Sequence, residues 1–423
     1  MPVIPVISSQ FSAVQLTEDA LKKFDGQEIK LYQLKTINEA LEYLPIEMPE
    51  MAIVNFSDPR IDAFNLLATL MSDAWLLHAG IIGFCQTNNE IERLESFKGA
   101  NLIIALGYED IAAYLPKIFS IIFNNRRILF QREISTDFVK NICGSFKLDN
   151  DLHEVKCYVN LICNFLYNSN RLKLDQKYDL KLALTELMIN AIEHGNCEIS
   201  YEEKSDWLEK WFDISELITQ KNRDPVINKR KITFEYTLNK TKGTFLIADE
   251  GMGFDWTNVK DVTQQENIFE LHGRGILITR ALVHNLTFNS KGNEVTFDVP
   301  FEDSSTELVP GIFENIPVKE VKKGDIIFNE GEPGDFLYYI VKGSYEVILN
   351  KGAFTTLTPD DIFMGEMSFL LNNFRSATIR AATDGKLIGI SKKDFVEAIR
   401  LKPHYALFIC RLLAQRILRS DSK

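Results

Sequence analysis

Cysteine is scarce in this 423-residue sequence, and its six cysteines form no metal-binding pattern. They include no C-x-x-C pair and no paired metal-ligand spacing, so we expect reduced, mostly buried thiols. No Lys or Arg precedes Lys22, so the sequence lacks the charged start of a signal peptide. No apolar run approaches the roughly 20 residues that span a bilayer. These absences predict a cytoplasmic protein without a membrane segment.

Positive charge is also in the minority. Lys and Arg number 47 against 59 Asp and Glu, which gives a formal net charge of −12. Such an excess of acid argues against broad binding to nucleic acid or anionic lipid, although it leaves room for a local basic pocket. The length allows two or three domains with separate cores.

Residues 1–125 alternate short apolar runs with amphipathic stretches. Met51–Phe56, Ala79–Cys85 and Asn101–Leu106 read as buried strands. Ile61–Trp75 and Ile111–Phe123 read as helices. Strands that alternate with helices predict an α/β domain with a parallel sheet.

A different pattern covers residues 126–302, before the short polar linker Glu302–Glu307. The predicted helices are Leu152–Tyr167 and Lys177–His194, and a polar stretch follows from Cys197 to Arg230. The predicted strands are Phe138–Phe146, Lys231–Leu238, Gly243–Asp249 and Asn293–Val299.

The last region, residues 308–423, is a series of short strands broken by Gly and Pro, and it ends in two helices, Lys392–Arg400 and Pro403–Arg419. This succession of short strands and turns predicts a β jelly-roll barrel with flanking helices.

The most informative motif of the last region runs from Phe363 to Ala381. Gly365 opens a short helix whose free amides can face an anion. Glu366 supplies an acceptor suited to a sugar hydroxyl. Arg375 offers a planar fork of donors for a phosphate, next to the Ser376 hydroxyl and the Ala377 amide. A surface Glu–Arg pair on an ordinary β-sandwich is the alternative.

This stretch closely resembles the phosphate-binding cassette of cyclic-nucleotide-binding domains, and the approach Gly324–Asp335 resembles the family as well. The resemblance implies that Glu366 binds the ribose 2′-hydroxyl and that Arg375 binds the cyclic phosphate. In the family a hydroxyl at the Ser376 position occurs in both cAMP and cGMP binders, and we favour cAMP. A degenerate pocket that binds nothing stays an alternative. Because the chain stops after the helix ending near Arg419, no helix-turn-helix is expected and direct DNA binding is not predicted. The predicted cyclic-nucleotide site is Gly365, Glu366, Met367, Ser368, Arg375, Ser376 and Ala377.

The helix before His194 carries a polar stripe. Glu186, Asn190 and His194 follow one another at intervals of four and so share one face. A carboxylate and an amide one turn apart suit the oxygen-ligand chemistry of hydrated Mg²⁺. A solvated helix face is the alternative reading of this stripe alone.

Two glycine-containing segments follow the stripe. A buried strand runs into Asp249, whose carboxylate can accept a hydrogen bond from the exocyclic amine of adenine. Gly251 and Gly253 then allow the backbone to approach a nucleotide closely. The segment from His272 to Thr279 opens an apolar helix with glycines, which is typical of an anion-binding helix start.

In this order the three motifs resemble the GHKL superfamily, and more closely the anti-sigma-factor serine kinases, over about residues 135–302. The resemblance implies an α/β two-layer sandwich that binds ATP. It also implies that Glu186 is the general base and that Asn190 holds Mg²⁺. The predicted ATP-binding residues are Asn190, His194, Asp249, Gly251, Gly253, Gly273, Arg274 and Gly275.

One departure from that group is the polar insertion between Cys197 and Arg230, which is longer than usual and bears on how a partner docks. His153-Glu154 lacks the continuation of a histidine-kinase phosphoacceptor box, so autophosphorylation on histidine is not expected.

The first region loosely resembles a response-regulator receiver domain. Asp58, after the Met51–Phe56 strand, falls near the position of a phosphoacceptor. No acidic pair follows a first strand and no Lys-Pro ends the Asn101–Leu106 strand, so the support for aspartyl phosphorylation is missing. We expect a pseudo-receiver used for docking or dimerisation.

Together these features predict a multidomain signalling kinase regulated by cyclic nucleotide. It would phosphorylate a serine or threonine of a partner, an anti-anti-sigma-type protein, or sequester a sigma factor. The alternatives are a switch that binds both nucleotides without catalysis and a sensor whose GHKL site is inactive. Homodimerisation is compatible with both families.

Overall fold

A computed structural model gives the structure of the chain. It describes residues 3–24, 29–71, 79–125, 142–169, 171–210, 213–239, 241–254, 274–301, 313, 315–349, 352–403, 405–407, 409–410 and 413–414.

The first region is an α/β domain built on a parallel sheet, as its alternating pattern predicted. The described strands lie in the order β2-β1-β3-β4-β5, with β1 parallel to β2 and β3, and β3 parallel to β4. This is a doubly wound order, shared by flavodoxins and receiver domains. The strands are β1 (Val3–Ile7), β2 (Lys30–Leu34), β3 (Met51–Asn55), β4 (Gly80–Cys85) and β5 (Leu102–Gly107). The helices are α1 (Phe11–Lys22), α2 (Ile37–Glu47), α3 (Ala63–Met71), α4 (Asn88–Glu95) and α5 (Tyr108–Asn124).

Asp58 lies beyond the end of β3, and its carboxylate is fully engaged inside the domain. The hydroxyls of Ser8 and Ser9 donate to it at 3.0 and 2.8 Å, and the Arg60 amide donates at 3.0 Å. Burial opposes these bonds, but the net effect is that the pKa of Asp58 lies below its ordinary value. The side chain serves as a structural acceptor here, and the pseudo-receiver role stays a prediction.

The middle region is a two-layer α/β domain. Its described strands lie in the order β6-β7-β8-β10-β9, and neighbouring strands are antiparallel. The strands are β6 (Ile142–Leu148), β7 (Ile232–Leu238), β8 (Lys242–Ala248), β9 (His284–Phe288) and β10 (Glu294–Pro300). The helices are α6 (Leu152–Asn168), α7 (Leu174–Asn190), α8 (Tyr201–Glu209), α9 (Ile214–Lys221), α10 (Pro225–Lys229) and α11 (Arg274–Leu282).

The core of this domain lies between helices and sheet. Alternation along β7 turns Ile232, Phe234 and Tyr236 inward, into the same hydrophobic core as Leu184 and Leu187 of α7. The sequence prediction lacked β9, whose short run His284–Phe288 pairs at the sheet edge.

The predicted helix Lys177–His194 differs from the observed one at its end. The α-helical part stops at Asn190, and Ala191–Asn196 continue as a π-helical turn. π-Helical turns are frequent at functional sites, because they shift the side chains that follow relative to a regular α-helix. Here the turn carries His194, one of the predicted site residues.

A lysine is buried in α7. Lys177 is 4% exposed, and its ammonium lies 4.9 Å from the ring centroid of Tyr167. Burial lowers its pKa from 10.5 to about 8. At neutral pH this lysine is mainly protonated, so folding must bury a positive charge, which costs free energy.

We expect Lys177→Met to stabilise the middle domain at pH 7 by about 1–2 kcal/mol, after the lost cation–π contact is subtracted. The folded lysine releases its proton near pH 8, whereas the unfolded one holds it to about 10.5. The parent therefore gains stability as pH rises through that window, and the advantage of the variant shrinks. Denaturant unfolding at pH 7 and 9.5 measures this, with Lys147→Met on the exposed side of β6 as the control. An equal advantage at both pH values would contradict the assignment.

The last region is a β-sandwich of two antiparallel sheets, with the strand orders β11-β18-β13-β16 and β12-β17-β14-β15. The strands are β11 (Val318–Val321), β12 (Ile326–Phe328), β13 (Phe336–Lys342), β14 (Tyr345–Leu349), β15 (Gly352–Leu357), β16 (Phe363–Met364), β17 (Thr378–Ala381) and β18 (Gly385–Ser391). The helices are α12 (Glu366–Leu370) and α13 (Lys392–Leu401). Of the predicted helix after Pro403, residues 405–407, 409–410 and 413–414 are helical and the rest lies outside the described residues. The linker Glu302–Glu307 lies outside them too.

All six cysteines are free, and four of them are buried, as expected; Cys143 and Cys410 are exposed. Within the described part of the chain, no helix is long and apolar enough to cross a membrane.

Candidate functional site

A cavity of about 320 Å³ lies in the middle domain between α7 and the sheet. One wall comes from α7 and the π-helical turn, and another from β8 and β10. A third comes from residues 199–202, at the start of the insertion. Apolar side chains dominate the lining and a few polar groups converge on it, as is usual for small-molecule sites. The lining side chains include Leu187, Asn190, Ala191, His194, Ile247, Asp249, Phe254, Ile276, Phe288, Asn293 and Val295.

Asp249 follows β8 and faces this cavity. One of its carboxylate oxygens accepts the Gly251 amide at 2.8 Å, and the Asn293 side chain donates to its main-chain carbonyl at 2.8 Å. Burial raises the pKa of Asp249 to about 6, so the group is chiefly ionised at neutral pH. A fixed, partly buried carboxylate of this kind can accept a hydrogen bond from an amine of a planar ligand.

Close backbone packing explains the glycines beside Asp249. A Cβ on Gly251 would lie 2.2 Å from the carbonyl oxygen of Gly195, and one on Gly195 would lie 2.4 Å from Cγ of Asp249. Gly253 has φ +79°, and a Cβ there would meet the carbonyl oxygen of Lys291 at 2.0 Å. Gly251 and Gly253 were predicted, whereas Gly195 was missed although it follows His194 directly.

The polar stripe of α7 reaches the cavity only in part. Asn190 and His194 line it, whereas Glu186, half-buried one turn earlier, does not line it among the described residues. The Nδ1 atom of His194 lies 2.6 Å from the carbonyl oxygen of Ile199, which fixes the ring against the wall. Asn190 and His194 therefore share one cavity with Asp249.

The third predicted motif is described only in part. Gly273 lies outside the described residues, and Arg274 and Gly275 begin α11, which packs against α7. Ile276, which follows them, lines the cavity. The start of this helix is thereby placed at the edge of the site.

The donor set of the cavity suits a magnesium ion that is held mainly by a nucleotide. Asn190 offers an amide oxygen, and the described residues contain no group of three or more His, Cys, Asp or Glu side chains that could hold a metal. Mg²⁺ is commonly bound through one or two protein oxygens together with substrate phosphates and waters. The residues present fit such an ion.

The second site lies around Arg375 in the last domain. Its side chain is 4% exposed, and Nη1 donates to the Gly365 carbonyl and to the Ser368 hydroxyl, both at 2.8 Å. Nη2 donates to the Phe336 carbonyl at 2.5 Å, and the guanidinium lies 4.1 Å from the ring centroid of Phe328. These bonds fix the plane of the guanidinium.

The Nε–H of Arg375 is buried and has no hydrogen-bond partner among the described residues. A buried donor without a partner costs free energy, which an anion at the site would recover. Nε–H together with a hydrogen of Nη2 can form a two-donor fork, the geometry in which arginine binds phosphate. The structure therefore leaves a place for one anionic group.

Gly365 is required by this arrangement. Its φ is +78°, and a Cβ there would lie 2.2 Å from Nη1 of Arg375. Glu366 begins α12 and is half-buried, Ser368 is buried against Arg375, and Met367 is exposed. Ser376 is exposed and Ala377 buried, directly after the arginine. The predicted cassette residues thus surround one short helix and one arginine.

Comparison with family models decides the class of both domains. The model described as "Histidine kinase-like ATPase domain" matches residues 158–299, and the one described as "Cyclic nucleotide-binding domain" matches residues 318–401. The chain carries both domains. This result supports a cyclic nucleotide as the ligand of the last domain and ATP as the ligand of the middle domain.

Curated relatives and solved structures resemble parts of the chain. A cGMP-dependent protein kinase of Plasmodium berghei is 38% identical over 74 residues, which are 18% of this chain and 8% of that protein. A cAMP-dependent protein kinase type II regulatory subunit of Drosophila melanogaster is 31% identical over 94 residues, 22% of this chain and 24% of that protein. The catabolite activator protein of Thermus thermophilus is 28% identical, with a TM-score of 0.24, over 26% of this chain and 54% of that one. The chain thus spans a quarter or less of the length of these two curated relatives.

Proposed function

We propose that the chain is a cyclic-nucleotide-regulated, ATP-dependent protein serine/threonine kinase of the anti-sigma-factor type. The observation that carries the proposal is the cavity of the ATPase domain, where Asp249 and Asn190 face the same space. Glu186, one turn before Asn190 on the same helix, supports a transfer reaction rather than binding alone. The fold of the domain suits ATP-dependent kinase-like activity in general, and the choice of serine or threonine as acceptor rests on the motif resemblance.

In this proposal the apolar walls and Asp249 hold the adenine. The carboxylate accepts from the exocyclic amine, and Gly251 and Gly253 let the backbone pass close to the nucleotide. Asn190 would hold Mg²⁺, which neutralises charge on the phosphates when bound. Because phosphoryl transfer depends mainly on positioning and electrostatic stabilisation, fixing the nucleotide is the main task of these residues.

Glu186 is proposed as the general base for the acceptor hydroxyl. It orients the hydroxyl of the partner or takes its proton as the bond from that oxygen to the γ-phosphorus forms. The bond between the γ-phosphorus and the β,γ-bridging oxygen breaks in the same step, and ADP leaves. The partner would be an anti-anti-sigma-type protein, or a sigma factor that the domain sequesters. The competing function is a switch that binds both nucleotides and holds a partner without transferring phosphate.

The regulatory ligand is proposed to be cAMP rather than cGMP. Arg375 would bind the cyclic phosphate through Nε and Nη2, and Glu366 would accept the ribose 2′-hydroxyl. Relatives with each ligand in their names match the chain, and titration with cAMP and with cGMP measures the preference. Regulation requires that the cyclic nucleotide bind two states of the chain with different affinity.

Thermal unfolding of the full chain with both ligands tests the proposal. A ligand at 100 times its dissociation constant stabilises its domain by about 2.7 kcal/mol, which a melting curve detects. We expect Mg-ATP to raise the unfolding temperature of the ATPase domain, and cAMP to change the size of that shift. No shift with Mg-ATP would contradict nucleotide binding, and an ATP shift that ignores cAMP and cGMP would contradict regulation.

A further inference from the structure

The insertion between Cys197 and Arg230 is part of the ATPase domain core, not a loop on its surface. Ile199, Leu217 and Ile218 are buried in that core, and Trp207 and Ile227 pack against it. Its three helices, α8, α9 and α10, each begin with a side-chain cap, from Ser200, Asp213 and Asp224 respectively. A segment fixed in this way holds a defined position relative to its neighbours.

Polar contacts tie the insertion to the turns that shape the cavity. The Glu193 carboxylate, on a residue that is 1% exposed, pairs with the ammonium of Lys204 from α8. Arg230, at the other end of the insertion, donates from Nη1 to the Asn196 carbonyl at 2.7 Å. The Asn196 side chain accepts the amide of Glu250, the residue after Asp249, at 2.9 Å. The insertion is thereby linked to the π-helical turn and to the loop after β8.

The first residues of the insertion line the cavity itself. Ile199, Ser200, Tyr201 and Glu202 all face it. The ring of Tyr201 contacts the ring of His194 at a tilt of 46°, with centroids 4.3 Å apart, and 45% of the residue remains exposed. A partly exposed aromatic ring that lines a nucleotide cavity is suited to pack against a planar base.

We propose that the insertion supplies a nucleotide-binding residue, Tyr201, whose ring packs against the base of the bound ATP. This inference rests on the ATP binding of the proposed function, which it deepens by naming a recognition element beyond the three motifs. The pair of Lys204 with Glu193 holds the start of α8 against the π-helical turn. The insertion thereby forms part of the nucleotide pocket.

Calorimetric titration of the full chain with ATP tests the inference. We expect Tyr201→Ala to weaken ATP binding about tenfold, whereas Tyr201→Phe, which keeps the ring, binds nearly as the parent does. Tyr201→Leu keeps an apolar contact with His194 but lacks the aromatic face, so it should lose most of the same affinity. Because the contact is with the base, inorganic tripolyphosphate should bind parent and variants alike.

Leu208→Ala is the matched control: it lies on the same helix, is 46% exposed and does not line the cavity. Its ATP affinity should stay at the parent value, and all variants should keep the parent's affinity for inorganic tripolyphosphate, which reports an intact ATPase domain. Parent-like ATP affinity in Tyr201→Ala, while Asp249→Asn loses it, would overturn the inference and leave the ATP site standing. Absence of ATP binding in the parent would instead overturn the proposed function.

Discussion

Arg375→Ala should weaken binding of cyclic nucleotide about a hundredfold or more while ATP affinity stays unchanged. The substitution removes the two-donor fork of Nε and Nη2. Charge-assisted hydrogen bonds of this type contribute about 1.5–3 kcal/mol each, and about 2.7 kcal/mol corresponds to a hundredfold change in affinity. The ATP cavity belongs to another domain and contains no atom of Arg375. Titration with cAMP and with ATP measures both affinities on one sample.

Two further variants separate the fork from the fold. Arg375→Lys keeps one positive charge but lacks the planar geometry, so we expect it to lose at least about tenfold in affinity. Arg380→Ala is the matched control on β17, because that arginine is half-exposed and bonds to Glu346. Loss of binding in Arg380→Ala, or parent-like binding in Arg375→Ala with a folded domain, would contradict the assignment of the phosphate to Arg375.

The sequence prediction was most specific where short motifs combine charged residues with glycines at fixed spacing. Asp249 was identifiable as a candidate because three motifs follow one another in the order of one superfamily, although a single glycine-rich turn also reads as a plain loop. Arg375 was identifiable for a similar reason, since its spacing from Gly365 and Glu366 is characteristic of one family. In both cases the chemistry resides in residues close together along the chain, and local spacing fixes their geometry.

Features that depend on distant partners were missed. The strand β9 is short and largely exposed, so it lacks a hydrophobic pattern and is defined by its pairing with β10. The insertion reads as polar because few of its residues, such as Leu217 and Ile218, are buried. Its caps at Ser200, Asp213 and Asp224 were signals that could have revealed the helices. The sequence could not show that the insertion lines the cavity. The contact of Tyr201 with His194 depends on the π-helical turn that carries His194, and the sequence pattern predicted a regular helix there.

Glu186→Gln should lower the rate of phosphoryl transfer by a factor of about 10²–10⁴ and leave ATP affinity close to that of the parent. The amide keeps the size of the carboxylate but cannot take the proton of the acceptor hydroxyl. Binding should persist, because Glu186 does not line the cavity among the described residues, whereas Asn190 and Asp249 do. The measurement is transfer from γ-labelled ATP to the anti-anti-sigma-type proteins of the source genome, together with titration of ATP.

Asp179→Asn provides the control for this prediction, because it removes one negative charge from an exposed position of the same helix. It should transfer phosphate at the parent rate. If Glu186→Gln also does so, the general-base assignment is wrong, and Glu186 is then a residue of the helix surface. If the parent binds ATP but transfers no phosphate to any of these proteins, the competing function applies. The ATPase domain would then be a nucleotide-dependent switch, and the effect of cAMP should appear as a change in partner binding. A ligand can shift an equilibrium only between states that it binds with different affinity.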